Sequence, residues 1–412
     1  MSATLQFILA IGILILCARL GGALSRRLNQ PAVLGELLAG VLLGPTVLGF
    51  FQLPWFTDTH LEEGVKHLAE IGVIFLMFLA GMEIELKEMV KTGRAAALGG
   101  LLGVILPLGL GIGAALLFGS SVNEALFLGI VLSATSVSIS AQTLMELGVL
   151  RRRESLTLLG AAVFDDVLVL LILSIFIALG GGTSSGGLAD VAVVLLRMVA
   201  YLTVAILLGF WLIPALLRRV DRLPISHGLV SFCIALALLY AWSAEALGGV
   251  AAITGAFIFG LAVARSPLRQ QIEHSLSDLT YGFFVPLFFV SIGLGANVRE
   301  VTGPALIFGL VLIAVAVVSK IVGSGLGAWW GGLPRNEALR LGIGMVSRGE
   351  VGLIVASVGL NQGLIDQVAF AQIVLVVLAT TLVTPLMLRW VYARADRPAA
   401  SPPSEPAAAK GE

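Results

Sequence analysis

Two adjacent carboxylates, Asp165 and Asp166, lie in the middle of a long apolar stretch whose centre reads AAVFDDVLVL, residues 161–170. A charged side chain at the centre of a bilayer costs about 2.5–3.5 kcal/mol, so two carboxylates are not expected there without a use. Neighbours on a helix point about 100° apart. The pair can therefore serve one cavity from two directions, with one carboxylate binding an ion and the other a charge partner.

The expected charge partner is Lys320, which lies at the centre of another apolar stretch, VVSKIV at 317–322. Burial disfavours the charged form of each group, and a nearby opposite charge favours it. Such a cluster can load and release protons near neutral pH. The alternative is a fixed Asp–Lys pair in which each charge only offsets the cost of the other. That alternative leaves the second aspartate unexplained, so the sequence predicts that at least one aspartate carries an ion or a proton.

Two copies of a short motif mark an internal repeat. NEALFLGI at 123–130 and NEALRLGI at 336–343 agree at seven of eight positions. Each copy runs into a polar segment at mid-span depth, SATSVSIS at 133–140 and MVSRGEV at 345–351. Ser and Thr compete for backbone hydrogen bonds and Gly loosens a helix. Both segments are therefore poor helix interiors.

The polar segments favour a pair of discontinuous helices whose half-helix ends face each other, because Arg348 and Glu350 would be costly against lipid. In that arrangement Glu350 lies near exposed N–H groups and Arg348 near carbonyl groups. The alternative is two continuous helices whose hydroxyl groups bond back to their own carbonyls. Equivalent placement in both copies favours the interruption.

The composition requires that these elements lie in a membrane. Of the 412 residues, 58% are hydrophobic and 12% are charged, whereas soluble domains carry about 25% charged residues. Apolar stretches long enough to cross a bilayer recur along the chain. The sequence predicts an all-α polytopic membrane protein with about thirteen spans, at about 5–24, 31–48, 66–83, 96–118, 124–147, 154–179, 189–217, 226–244, 249–264, 275–296, 304–328, 337–360 and 366–391.

The loop charges predict the orientation. Eighteen of the 25 lysines and arginines lie in the loops after odd-numbered spans or at the C-terminal end, and basic residues in short loops stay cytoplasmic. The N-terminus is therefore expected outside and the C-terminus inside, which makes the two repeat copies inverted. Inverted repeats are typical of secondary transporters with an ion site at the midplane. Acidic and basic residues balance at 25 each, and the lack of a basic block argues against a nucleic-acid partner.

The remaining charges and the metal-binding residue types give weaker signals. Glu36 lies near a span end, where a solvated carboxylate is ordinary. Arg19 and Arg197 lie in spans without acidic neighbours and are expected to snorkel. The two cysteines and four histidines show no metal or disulfide spacing. No resident cofactor or enzymatic motif is indicated.

Five linked motifs carry a family resemblance. Besides the paired aspartates, the motifs are PAVLGELLAGVLLGP at 31–45, LAEIGVIFLMFLAGME at 68–83, FFVPLFFVSIG at 283–293 and SRGEVG at 347–352. Together, over about residues 5–391, the chain resembles the cation:proton antiporter-2 family. That family includes Kef-type potassium efflux systems and bacterial sodium/proton antiporters.

The resemblance implies a homodimer and a division of the chain into parts. The implied parts are a scaffold at 1–95 and 218–303, a moving core at 96–179 and 304–392 and a linker helix at 180–217. The composition itself predicts a flexible outer linker in GGGTSSGG at 180–187 and a disordered cytoplasmic tail at 393–412.

The resemblance also assigns site residues. It implies that Asp166 is the principal Na⁺ and proton site and that Asp165 pairs with Lys320. Thr135 and Ser136 would be the polar groups where the helices cross.

The expected activity is electrogenic Na⁺/H⁺ exchange by alternating access in the inner membrane of a bacterium. A Kef-type K⁺/H⁺ antiporter is the close alternative, although such members usually carry a cytosolic nucleotide-binding domain, and only about 20 residues follow the last span here. An intramembrane aspartyl protease would need its two aspartates on separate helices. A channel would pass large currents that do not depend on a counterion.

Overall fold

The described part of the chain is helical. The computed structural model describes residues 1–83, 91–176, 188–222, 227–295, 301, 303–361 and 363–395, and no strand occurs among them. The helices are α1 (Ala3–Arg27), α2 (Ala32–Leu43), α3 (Leu61–Glu83), α4 (Gly93–Leu117), α5 (Val122–Ser133), α6 (Val137–Glu146), α7 (Arg153–Phe176), α8 (Leu188–Val220), α9 (Gly228–Ser243), α10 (Ala252–Val263), α11 (Arg269–Leu279), α12 (Val285–Leu294), α13 (Pro304–Trp330), α14 (Arg335–Gly344), α15 (Glu350–Asn361) and α16 (Gln367–Ala395).

The lengths of these helices fit a membrane protein. Within the described ranges, ten helical segments are long and apolar enough to cross a bilayer, and α2 and α10 are apolar but shorter. Twelve residues extend only about 18 Å, less than the roughly 30 Å of a hydrocarbon core. Each predicted span contains a described helix. The all-α class is confirmed, whereas the count of thirteen membrane crossings stays a prediction.

Both copies of the repeat contain an interrupted helix. The first helix stops after Ser133 and resumes at Val137, and the second stops after Gly344 and resumes at Glu350. The interruptions coincide with the polar segments of the two copies, where hydroxyl groups and glycine replace apolar helix formers. That the two interrupted helices cross stays a prediction.

The repeat is visible in the packing of α4 and α13. A Cβ atom at Gly129 would lie 2.7 Å from the Leu108 carbonyl oxygen of α4, and one at Gly342 would lie 2.5 Å from the Ile321 carbonyl oxygen of α13. Leu108 and Ile321 stand at the same sequence offset from their glycines. Each copy therefore packs its half-helix onto its own long helix through the same close backbone approach.

The one position that differs between the copies reveals their opposite directions. The Phe127 ring packs against Phe176 at the end of α7, with the ring centroids 6.2 Å apart. The equivalent Arg340 bonds to Glu154 at the start of α7, with 2.8 Å between Nη1 and Oε1. Equivalent residues thus contact opposite ends of one helix, as an inverted repeat requires.

Helices α3 and α10 pack against each other, and together they form one wall of the region that contains the candidate site. The rings of Phe78 and Phe259 stack with centroids 5.0 Å apart, and both side chains are fully buried. This contact holds the second half of α10 beside the C-terminal third of α3.

The expectation that Glu36 is solvated is wrong, whereas snorkelling of Arg19 and Arg197 stays a prediction. Glu36 is only 3% exposed, and its Oε1 lies 3.5 Å from Nη1 of Arg19, which also donates a hydrogen bond to the Tyr281 carbonyl. Arg197 donates to the carbonyl oxygens of Leu247 and Ala246, at 2.5 Å each. These side chains therefore satisfy charges and backbone groups within the protein.

Two expectations lie outside the described residues, namely the flexible segment at 180–187 and the tail beyond residue 395. The division of the chain into scaffold, core and linker stays a prediction.

Candidate ion-binding site

A buried ion pair joins the two halves of the repeat. Nζ of Lys320 on α13 lies 2.6 Å from Oδ1 of Asp165 on α7, and both side chains are fully inaccessible to solvent. Each charge depends on the other, because removing one partner of a buried pair costs about 3–5 kcal/mol. The structure therefore brings together the lysine and one aspartate singled out in the sequence.

Only one of the two Asp165 carboxylate oxygens takes part in this pair. Oδ2 of Asp165, the hydroxyl of Thr135 and the hydroxyl of Ser324 are buried without a hydrogen-bond partner in the described part of the chain. The Thr135 hydroxyl faces Asp165 without completing a hydrogen bond of ordinary geometry. A buried polar group without a partner costs about 1–3 kcal/mol. The free carboxylate oxygen is thus a high-energy acceptor that a proton or a new partner would satisfy.

Asp166 faces a different direction from Asp165. Its side chain is buried, with 6% of its surface exposed, and it lines a small cavity between α6 and α7 on one side and α3 and α10 on the other. Besides Asp166, the lining consists of Met77, Val137, Leu159, Ala162, Val163, Ile253, Thr254 and Phe257. Asp166 also lies within electrostatic range of Lys320. One carboxylate therefore holds the lysine while its neighbour faces the cavity.

The two helix interruptions contact each other beside the pair. The backbone N–H of Ser136 donates to the Ser347 carbonyl at 2.8 Å, and the Ser347 hydroxyl donates to the Ser136 carbonyl at 2.6 Å. The Ser140 and Ser347 hydroxyls lie 2.9 Å apart. The backbone of Ser136 thus ties the first interruption to the second.

Arg348 donates to one carbonyl group at each interruption, that of Leu132 at the first and that of Val346 at the second. Its Nε and Nη2 donate to the Leu132 carbonyl at 3.2 and 2.7 Å, and Nη1 donates to the Val346 carbonyl at 2.6 Å. The side chain is 1% exposed. A cation at a helix C-terminus is stabilised by the helix dipole. Arg348 also lies within electrostatic range of Asp165, so the site contains two carboxylates and two cationic side chains.

Glu350 begins α15 directly after the second interruption. Its side chain lies outside the described set, so the expected contact with helix N–H groups stays a prediction.

The sequence reasoning missed Ser324 and Thr254. Ser324 stands four residues after Lys320, one turn along α13, and that spacing could have indicated it. Thr254 is a single polar residue in the apolar stretch AAITGAFIFG, 251–260. No signal in the sequence tells it from a threonine that bonds to its own helix.

The described residues hold no cluster of three or more His, Cys, Asp or Glu side chains that could bind a metal ion. A cation at Asp166 would therefore need neutral oxygens, from hydroxyl groups, carbonyl groups or water, to complete its coordination.

The fold and site are those of a multi-pass membrane protein with ionisable groups buried where two interrupted helices meet. Residues 12–394 match the family model described as sodium/hydrogen exchanger, transmembrane. The chain belongs to this family, which confirms the resemblance to cation:proton antiporters.

Curated relatives match over almost the whole chain. The chain is 39% identical over 392 residues to the Na⁺/H⁺-K⁺ antiporter GerN of Bacillus cereus, covering 95% of this chain and 98% of the relative. It is 35% identical to a Na⁺/H⁺ antiporter of Enterococcus hirae, covering 94% and 98%. It is 34% identical to the high-affinity Na⁺/H⁺ antiporter NhaS3 of Synechocystis, covering 95% and 90%.

A solved structure has the same fold. The sodium proton antiporter MjNhaP1 from Methanocaldococcus jannaschii superposes with a TM-score of 0.68 at 18% identity, covering 95% of this chain and 97% of that chain. At that identity the likeness concerns the fold alone.

Proposed function

We propose that this protein is a secondary active antiporter, and not an enzyme, that exchanges a monovalent cation for protons at Asp166, with Na⁺ as the main cation. The observation that carries this proposal is a buried carboxylate that faces a cavity while its neighbour is held by a buried lysine. The printed names of the relatives, which are Na⁺/H⁺ antiporters, support the same substrates.

The proposed mechanism is competition between Na⁺ and H⁺ for one carboxylate. Either ligand neutralises Asp166, whereas the bare carboxylate is costly to move through an apolar barrier. The site therefore crosses the barrier loaded with one ion or the other, and exchange is favoured over leak. Asp165 and Lys320 would break and remake their bond as protons load.

The position of the cavity fits alternating access. In the proposed division, residues 96–179 and 304–392 form the moving core, and 1–95 and 218–303 form the scaffold. One wall of the Asp166 cavity comes from α6 and α7 and the other from α3 and α10, so the cavity lies on the proposed boundary. Movement along that boundary would expose Asp166 to each side in turn. We further propose a homodimer in a bacterial inner membrane, with the N-terminus outside and the C-terminus in the cytoplasm.

Potassium is the second candidate cation. The relative with 39% identity is named a Na⁺/H⁺-K⁺ antiporter. Carboxylate and carbonyl oxygens do not by their type choose between Na⁺ and K⁺.

Proteoliposome flux tests the function and the cation together. Purified protein is reconstituted with an imposed pH gradient, and Na⁺, Li⁺ or K⁺ is added with the membrane potential clamped at different values. We expect Na⁺ to dissipate the gradient with saturating kinetics and a rate that depends on the potential. Preference for K⁺ would support the second candidate. Absence of cation-dependent proton movement, or a large current without saturation, would contradict antiport.

A further inference from the structure

We infer that Thr254 is a cation-recognition residue, which places its hydroxyl oxygen opposite the Asp166 carboxylate. This inference rests on the proposed function and names a second group of the same site. Thr254 lies in the first turn of α10 and lines the cavity that Asp166 lines from α7. The other lining side chains are apolar. A cation in this cavity would therefore find a carboxylate on one wall and a single hydroxyl on the other.

The Thr254 hydroxyl is available for such a contact. The residue is 4% exposed, and its side chain has no hydrogen-bond partner among the residues that the structure describes. Threonines inside helices usually donate to the carbonyl four residues earlier. Threonines elsewhere in this chain do so, namely Thr143, Thr157, Thr203, Thr380 and Thr384.

Position in the helix explains why Thr254 cannot do the same. The residue four positions earlier, Val250, precedes the start of α10 at Ala252. The nearer carbonyl, that of Ala251, accepts the backbone N–H of Thr254 at 2.9 Å. The Thr254 hydroxyl belongs to a buried residue, and a ligand in the cavity can satisfy it.

Coordination chemistry favours a cation as that ligand. Hard cations bind oxygen atoms, and among the described residues Asp166 is the only acidic side chain that lines this cavity. A neutral hydroxyl adds an oxygen without adding charge, so it strengthens cation binding without creating a second proton-binding group. Because the oxygens belong to different helices, α7 and α10, their separation sets which cation fits between them. Thr254 would thus affect cation affinity and selectivity more than the maximal rate.

The test compares Thr254→Val, which keeps the shape and removes the oxygen, with Thr254→Ser, which keeps the oxygen. Ile258→Val is the matched control, because Ile258 is a buried residue of the same helix that does not line the cavity. We expect Thr254→Val to raise the apparent KM for Na⁺ by about tenfold, the loss of one good oxygen contact. We expect Thr254→Ser and Ile258→Val to remain within about twofold of the wild type, and the Na⁺/Li⁺/K⁺ preference to change only in Thr254→Val.

A binding measurement without turnover separates recognition from transport. Na⁺ should raise the melting temperature of detergent-solubilised wild type, and the Na⁺ concentration at half effect should increase in Thr254→Val. Unchanged Na⁺ dependence and unchanged selectivity in that variant would overturn the inference while leaving antiport intact. Equal losses in the valine and serine variants would also overturn it, because shape rather than oxygen would then be responsible. A wild type that shows no cation-dependent proton movement would instead contradict the proposed function.

Discussion

The contact between the two helix interruptions depends on the absence of a side chain at Gly349. A Cβ atom there would lie 2.7 Å from Oγ of Ser136 and 2.8 Å from its Cβ. Rotation of the serine could relieve the first contact but not the second, because Cβ moves only with the backbone. Ordinary contact begins near 3.4 Å, so Gly349→Ala should force the interruptions apart by about 0.6 Å.

That separation has a calculable cost. It would stretch the Ser136–Ser347 hydrogen bonds, now 2.8 and 2.6 Å long, to the limit of useful geometry. Two weakened hydrogen bonds cost about 0.5–1.5 kcal/mol each, and overpacking costs about 1–3 kcal/mol. We therefore expect Gly349→Ala to lower the free energy of unfolding by about 2–6 kcal/mol.

Unfolding by SDS in mixed detergent micelles measures this difference. Gly352→Ala is the matched control, since a Cβ atom there would meet only Cγ2 of Val377 at 3.7 Å, and alanine favours a helix over glycine by about 1 kcal/mol. The control should be as stable as the wild type or slightly more stable. If Gly349→Ala unfolds together with the control, the two interruptions do not pack as described.

Three further predictions concern the Asp165–Lys320 ion pair, the Arg348 guanidinium group and the Asp166 carboxylate for which Na⁺ and protons would compete. Lys320→Ala should lower the free energy of unfolding by about 3–5 kcal/mol, and adding Asp165→Ala should recover part of that loss; strictly additive losses in this double-mutant cycle would contradict the pair. Arg348→Lys keeps the charge but loses the two-pronged contact with Leu132, so we expect a loss of about 1–3 kcal/mol in the same titration, and wild-type stability would argue against this role. Competition at Asp166 predicts that lowering the pH raises the apparent KM for Na⁺ and leaves the maximal rate unchanged; an effect on the rate alone would exclude simple competition.

Local rules account for the parts of the site that the sequence could predict. Ser, Gly and Arg in the middle of apolar stretches indicated the interruptions, because each is costly in a continuous membrane helix. The rotation of about 100° between neighbouring residues of a helix indicated that Asp165 and Asp166 would face different partners. Both inferences need only the geometry of one helix.

Contacts between helices account for what the sequence could not predict. Glu36 looked solvated because it stands near a span end, but its side chain is buried and pairs with Arg19 of the neighbouring helix. Thr254 carries no signal of its own, since its role depends on where α10 begins and on α7 lying opposite. Such residues are found only once the packing partner of each helix face is known.

The central claim is that Na⁺ and protons exchange at the Asp166 carboxylate. Asp166→Asn removes the charge and keeps nearly the same shape, so the variant should fold like the wild type. Reconstituted into proteoliposomes with an imposed proton gradient, the wild type should dissipate the gradient when Na⁺ is added, and Asp166→Asn should not. An Asp166→Asn protein that still dissipates the gradient on addition of Na⁺ would contradict the claim.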